Sequence, residues 1–125
     1  MNLLLDTHAL LWWLDDDPSL TRRARTAIAD PENTVFRSAV VVWELRIKQA
    51  QGKVTLPERF RRVLDEQPFV DLAISLDHAH AVADLPPIHR DPFDRMLVAQ
   101  AVCEGLTIVT RDPTISTYGV PTLQA

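Results

Sequence analysis

Apolar residues along this chain come in blocks that alternate with polar, helix-patterned stretches. Leu3-Leu4-Leu5 is an unbroken apolar run that stops at Asp6, as expected of a parallel strand covered on both faces. Thr7 to Leu14 predicts a first helix, closed by the acidic Asp15-Asp16-Asp17-Pro18. Thr21 is a good N-cap for a second helix reaching Ala29. A turn at Asp30-Pro31-Glu32-Asn33 leads to a second strand, Thr34 to Phe36.

Ser38 then opens a longer helix to Gln51, with Gly52 as its stop. Pro57 introduces a helix from Glu58 to Glu66, and Phe69 to Ile74 reads as a third strand. A short helix is expected over Asp77 to Ala83, followed by a rigid connector, Leu85-Pro86-Pro87-Ile88. Asp91-Pro92 starts a helix that runs to Glu104 and stops at Gly105. Leu106 to Val109 is the fourth strand, Asp112-Pro113 opens a one-turn helix, and Val120 to Leu123 is a short last strand. Strands alternating with helices predict an α/β domain whose parallel sheet is covered on both faces.

The 125 residues suit one domain, with neither an internal repeat nor linker composition. A hydrophobic fraction of 46% and a charged fraction of 24% exclude a disordered chain. The net charge of −4 argues against nucleic-acid binding through a global basic field. It does not argue against a nuclease, because carboxylates that hold divalent cations lower the formal count without repelling phosphate. The single cysteine, Cys103, excludes an intrachain disulfide and a thiolate-only metal site. Its place in an apolar helical pattern predicts buried packing. No secretory signal is read at the N-terminus, and the apolar run Ala9 to Leu14 is too short to cross a membrane, so a cytoplasmic protein is expected.

In an open parallel sheet, ligands bind at the carboxyl ends of the strands. Asp6 directly follows the first strand, and Asp112 lies three residues after the fourth. Asp94 falls in the first turn of the helix feeding that strand, and Glu44 on the helix after the second. Each has an ordinary explanation. Asp6 and Asp112 can be N-caps, Asp94 can favour the helix dipole at N3, and Glu44 can pair with Lys48. Glu44 fits its ordinary role least, because Val40, Val41, Val42, Trp43, Leu45 and Ile47 surround it. An ionised carboxylate there needs a partner, either a cation or a shared proton. Four such acids suit Mg²⁺ or Mn²⁺, which take oxygen ligands. Paired ions about 3.5–4 Å apart are a recurring solution to phosphodiester hydrolysis.

Four stretches make the chain resemble the PIN-domain family, in particular its VapC-type toxins from bacterial toxin–antitoxin pairs. They are LLLDTHALLWWL (3–14), SAVVVWELRIKQAQGKV (38–54), HRDPFDRMLVAQA (89–101) and LTIVTRDPTISTYGV (106–120). The resemblance spans nearly the whole chain. It implies a three-layer α/β/α sandwich around a mainly parallel sheet. It assigns Asp6, Glu44, Asp94 and Asp112 to the metal-binding, catalytic carboxylates, and Thr7 and Thr110 to supporting hydroxyls. It further implies Mg²⁺- or Mn²⁺-dependent endoribonuclease activity, a homodimer and inhibition by a VapB-like antitoxin. One departure is the aliphatic Val40-Val41-Val42, where the family commonly carries a second small hydroxyl residue.

Among the basic residues, Arg95 and Arg111 stand beside proposed site acids and are candidates for RNA-backbone contacts. His78 and His80 point apart on a helix, which argues against joint metal binding and for surface or capping roles. His8 is expected to pack, and His89 to lie near the mouth of the site. Trp12, Trp13 and Trp43 are core-sized, and one of the adjacent pair is expected to line a partner's groove. Two other functions compete. An aspartyl-phosphate phosphatase would need an acid at position 8, where His8 stands. A catalytically silent binding module would not need all four acids.

Overall fold

A computed structural model describes all of residues 1–125. Five strands build one sheet: β1 (Asn2–Leu5), β2 (Thr34–Ser38), β3 (Val70–Leu72), β4 (Thr107–Thr110) and β5 (Thr122–Gln124). The order across the sheet is β3-β2-β1-β4-β5, and every neighbouring pair is parallel. Seven α-helices connect and cover it: α1 (Thr7–Leu14), α2 (Arg22–Ala29), α3 (Ala39–Ala50), α4 (Phe60–Asp65), α5 (Leu76–Ala81), α6 (Pro92–Glu104) and α7 (Pro113–Ser116). The expected α/β/α sandwich is therefore present, with the sheet wholly parallel.

β1 is central, and Leu3, Leu4 and Leu5 are all buried. Consecutive buried leucines require cover on both sides of the sheet, which explains the unbroken apolar run. α3 packs on α1 and α6, α6 packs on α5, and α2 lies against β5. Leu45, Val98, Ile108 and Val109 join the leucines in a single core.

The caps follow local chemistry. Thr21 accepts from the Ala24 amide, Asp91 from Phe93 and Asp94, and Asp112 from Thr114. Pro92 and Pro113 each follow an Asp cap, where a missing N–H costs nothing.

Several boundaries differ from expectation. β3 is three residues long, not Phe69 to Ile74, because as an edge strand it pairs only with β2. β4 runs one residue later than expected. Gly105 ends α6 in the left-handed conformation (φ 67°), and the Leu106 amide still bonds the Ala101 carbonyl of that helix. α4 covers only Phe60–Asp65, and α5 ends at Ala81 in a 3-10 turn, Val82–Asp84. Cys103 is exposed, not buried. α6 turns Leu97, Val98 and Ala101 to the core and Val102 and Cys103 outward. Trp43 is 56% exposed despite its size, and His78 is buried where a surface position was an option.

Candidate active site

All five strands point the same way, so β1, β2 and β4 deliver their carboxyl ends to one edge. Asp6 is the first residue beyond β1. Its amide still donates to the Val109 carbonyl of β4 (3.1 Å), and its Oδ1 accepts from the Ala9 amide at the start of α1 (2.9 Å). The capping role and a site role therefore fall on the same carboxylate. Asp6 is 7% exposed, and burial raises its carboxyl above the usual range. Hydrogen bonds from Thr110 and the Ala9 amide oppose that shift, while the Asp112 charge adds to it. Thr110 is itself buried at the end of β4, and its Oγ1 accepts from the Asp112 amide (3.0 Å). One threonine hydroxyl thus bears on two of the acids.

Glu44 faces this edge from α3 and is 5% exposed. Thr7 donates its hydroxyl proton to Glu44 Oε1 (2.7 Å), and Lys48 donates to Oε2. The carboxylate in its apolar stretch has therefore found two partners within the chain. The Lys48 ammonium is held above its usual range, chiefly by that hydrogen bond, and it also feels Asp91 and Asp94.

Asp94 sits in the first turn of α6, beneath the Asp91 cap. Its carboxyl is pushed up to about 6, first by burial, then by the Asp91 charge. Glu44 and Asp112 raise it further, and a hydrogen bond from His89 pulls it down. Asp94 thus shares a field with Glu44 and Asp112, and Asp6 with Asp112. The structure brings the four sequence-predicted acids into one electrostatic neighbourhood.

The donor set is all carboxylate and hydroxyl oxygen, which suits a hard divalent cation better than a soft one. No three His, Cys, Asp or Glu side chains are close enough to grip a single ion between them as they stand. Unneutralised carboxylates repel one another, and Glu44 is already engaged by Lys48.

The two arginine candidates are spent on the protein itself. Arg95 donates to the carbonyls of Pro86 (2.8 Å) and Val82 (3.2 Å) and to the Tyr118 hydroxyl (3.1 Å). Arg111 lies 4.4 Å over the Trp12 ring and donates to the carbonyls of Ser19 and Ala125. Arg90 is exposed and lines a cleft of about 620 Å³ with Pro87, Ile88, His89 and Arg95. None of the larger clefts is lined by the four acids. One of about 440 Å³ opens between α3, α4 and β3, around Phe60, Leu64 and Arg46.

His8 is exposed against Trp12, not packed inside, and Trp13 donates its indole N–H to Gln67 (2.9 Å). His78 caps α5 reciprocally with Ser75, as one of its expected roles required. Tyr118 contacts both His89 and Arg95, and no sequence pattern singles it out. A tyrosine in a loop carries no local signal of a partner 29 residues away.

The family model for the PIN domain matches residues 3–120. No curated protein sequence matches the chain. Similar solved structures include VapBC2 from Rickettsia felis bound to a promoter DNA fragment, with TM-score 0.74 and 16% identity over 98% of each chain. VapBC-1 from nontypeable Haemophilus influenzae aligns with TM-score 0.70 and 16% identity, over 99% of this chain and 98% of that one. A toxin–antitoxin complex from Klebsiella pneumoniae aligns with TM-score 0.61 and 24% identity, over 98% and 96%. PIN domains are generally nucleases and typically use divalent metal ions. With a match over nearly its whole length, the chain belongs to the PIN domain family.

Proposed function

We propose that this chain is a VapC-type toxin, a Mg²⁺- or Mn²⁺-dependent endoribonuclease neutralised by a cognate VapB-like antitoxin. The observation that carries the reading is the convergence of Asp6, Glu44, Asp94 and Asp112 from four elements onto one edge of a PIN-domain sheet. Asp6 and Asp94 are pushed up first by burial and then by neighbouring carboxylates, Asp112 for Asp6 and Asp91, Glu44 and Asp112 for Asp94. The similar solved structures are toxin–antitoxin complexes, which supports an antitoxin as partner. A homodimer in the cytoplasm completes the reading.

Asp6, Glu44, Asp94 and Asp112 would hold the cation, with Thr7 and Thr110 fixing Glu44 and Asp6. When bound, the cation supplies charge neutralisation at the phosphodiester and lowers the pKa of attacking water. Asp6 is held at the sheet edge by its own backbone, which makes it the fixed reference of the site. Thr7 aims the Glu44 carboxylate by donating to its Oε1. Arg90, exposed in the cleft beside His89 and Arg95, joins Arg95 and Arg111 as a candidate contact to the RNA backbone. Hydrolysis by in-line attack of water leaves 5′-phosphate and 3′-hydroxyl ends, with no role for the 2′-hydroxyl as nucleophile.

The test is cleavage of total bacterial RNA by purified, antitoxin-free protein with Mg²⁺, with Mn²⁺ and with EDTA, beside Asp6→Asn. Discrete cuts that need metal and vanish in the variant are expected. Products ending in 2′,3′-cyclic phosphate would contradict the mechanism. The second reading, a catalytically silent binding module, draws on the engagement of both Glu44 oxygens by Thr7 and Lys48. Folded protein that neither binds divalent metal nor cuts RNA would favour it.

A further inference from the structure

His89 lies on the irregular connector between the 3-10 turn and α6, where no ladder fixes its backbone. Its ring is nevertheless held at both nitrogens. Nδ1 is 2.6 Å from the Tyr118 hydroxyl, and Nε2 is 3.3 Å from Asp94 Oδ2. Arg95, the residue after Asp94, meets the same Tyr118 hydroxyl at 3.1 Å and spans the tyrosine face at 5.9 Å. Arg95 also grips the Val82 and Pro86 carbonyls, so the connector that carries His89 is anchored to α6.

Donor counting fixes the first of these bonds. A guanidinium only donates, so the Tyr118 oxygen accepts from Arg95. The tyrosine proton remains available, and His89 Nδ1, 2.6 Å away, accepts it when the neutral ring carries its own proton on Nε2. A neutral imidazole that accepts at Nδ1 carries its proton on Nε2, and that proton points at Asp94 Oδ2. In that tautomer the polarity runs one way, from Arg95 through Tyr118 and His89 to one oxygen of Asp94.

We propose that Tyr118 and His89, anchored by Arg95, form a positioning arm that fixes Asp94 Oδ2 and presents Oδ1 to the site. This rests on the proposed metal-dependent reading for its consequence, though not for its geometry. Carboxylates that hold metals are themselves held by outer hydrogen bonds, and losing one costs about 10–100-fold in affinity or activity. The arm also joins two parts of the site. Tyr118 follows the helix that Asp112 caps, and it reaches across to the helix that carries Asp94.

Two measurements on the full chain test the arm. Long-range ¹H–¹⁵N spectra of the metal-free protein read the His89 tautomer without reference to activity. A proton on Nε2 is expected, and an Nε2 bearing none overturns the proposal. Calorimetric titration of Mn²⁺ then compares His89→Gln with His89→Asn. A glutamine amide places an N–H near the position of Nε2, whereas an asparagine amide reaches only to Nδ1.

His89→Gln should bind Mn²⁺ within a few-fold of the parent, and His89→Asn should weaken binding by about 10-fold. Tyr118→Phe should fall between them, with kcat reduced more than KM is changed. Equal affinities in the glutamine and asparagine variants would overturn the proposal. A parent that binds no Mn²⁺ would count against the metal-dependent reading, and the spectra would still decide the arm.

Discussion

Asp6 stands one residue beyond a buried strand, and its own amide continues the ladder to Val109. Glu44 and Asp94 sit on helices and depend on side chains for their aim: Thr7 and Lys48 for one, His89 for the other. One side of the site is fixed by the backbone of the sheet, the other by contacts that single substitutions can remove. The contrast separates two kinds of failure. Changing Asp6 should remove a function and leave the scaffold, whereas changing what holds Glu44 or Asp94 should loosen geometry by degrees. A parallel sheet offers rigid positions only at its strand ends, so further acids must come from helices and be braced.

The largest effect is expected at Asp6. Asp6→Asn keeps an oxygen to cap α1 and removes the charge, so cleavage should fall by more than the about 10–100-fold typical of residues that merely support a ligand. Thermal unfolding should shift little or upward, because a raised carboxyl means that burying the charge opposes folding. A variant that cuts RNA at the parent rate would remove Asp6 from the site.

Asp94 gives the next effect, in stability. Its carboxyl is raised from 3.8 to about 6 in the folded chain, so the native state holds the proton more tightly than the unfolded one. Stability then falls as pH rises between those values, by about 2–3 kcal/mol if the shift is fully expressed. Asp94→Asn removes that penalty. Without metal it should be more stable than the parent above pH 6, and the two should converge near pH 4. Mg²⁺ or Mn²⁺ should close the gap by stabilising the parent alone. Denaturant unfolding across pH, with and without metal, checks this, and parallel curves would contradict it.

Lys48 should matter less and differently. Removing it strands the Glu44 carboxylate among apolar neighbours, but the lysine is 39% exposed, so water screens part of the loss. A cost of about 1–2 kcal/mol is expected for Lys48→Met in metal-free protein. Added Mn²⁺ should recover most of it, since the cation can take over the ammonium's role. Thermal melts with and without Mn²⁺ would show this. A loss that metal does not restore would mean that Lys48 acts by packing its stem.

The backbone-fixed side was the legible one. Leu3-Leu4-Leu5 ending at Asp6, and a strand ending near Thr110, are local patterns set by burial on both faces. The Asp-Pro pairs at Asp91 and Asp112 announced their helices because the capping chemistry is complete within four residues. The braced side was less legible. Glu44 stood out through its apolar neighbours, but its bond to Thr7 spans 37 residues. Tyr118 was invisible because its partners come from two other segments. Cys103 is exposed against expectation because an apolar stretch with weak helical periodicity does not say which face meets the core. The length of β3 depended on its having a single sheet neighbour, which only the assembled sheet decides.

The arginines sharpen the same contrast at the smallest scale. Arg111 bonds the Ser19 and Ala125 carbonyls and covers Trp12, so it ties the C-terminal end to the body of the fold. Arg111→Gln should lower the melting temperature, and any loss of RNA affinity should follow that loss of stability. Arg90 is exposed at the rim of its cleft, so Arg90→Gln should leave the melt within experimental error of the parent. It should weaken RNA binding a few-fold at low salt and reduce the slope of log affinity against log salt by about one phosphate contact. Binding is best measured on Asp6→Asn protein, so that cleavage does not consume the probe. If Arg111→Gln reduced the salt slope while Arg90→Gln left it unchanged, the guanidinium now spent on carbonyls would have to be released when RNA arrives. The rim contact would then belong to Arg111.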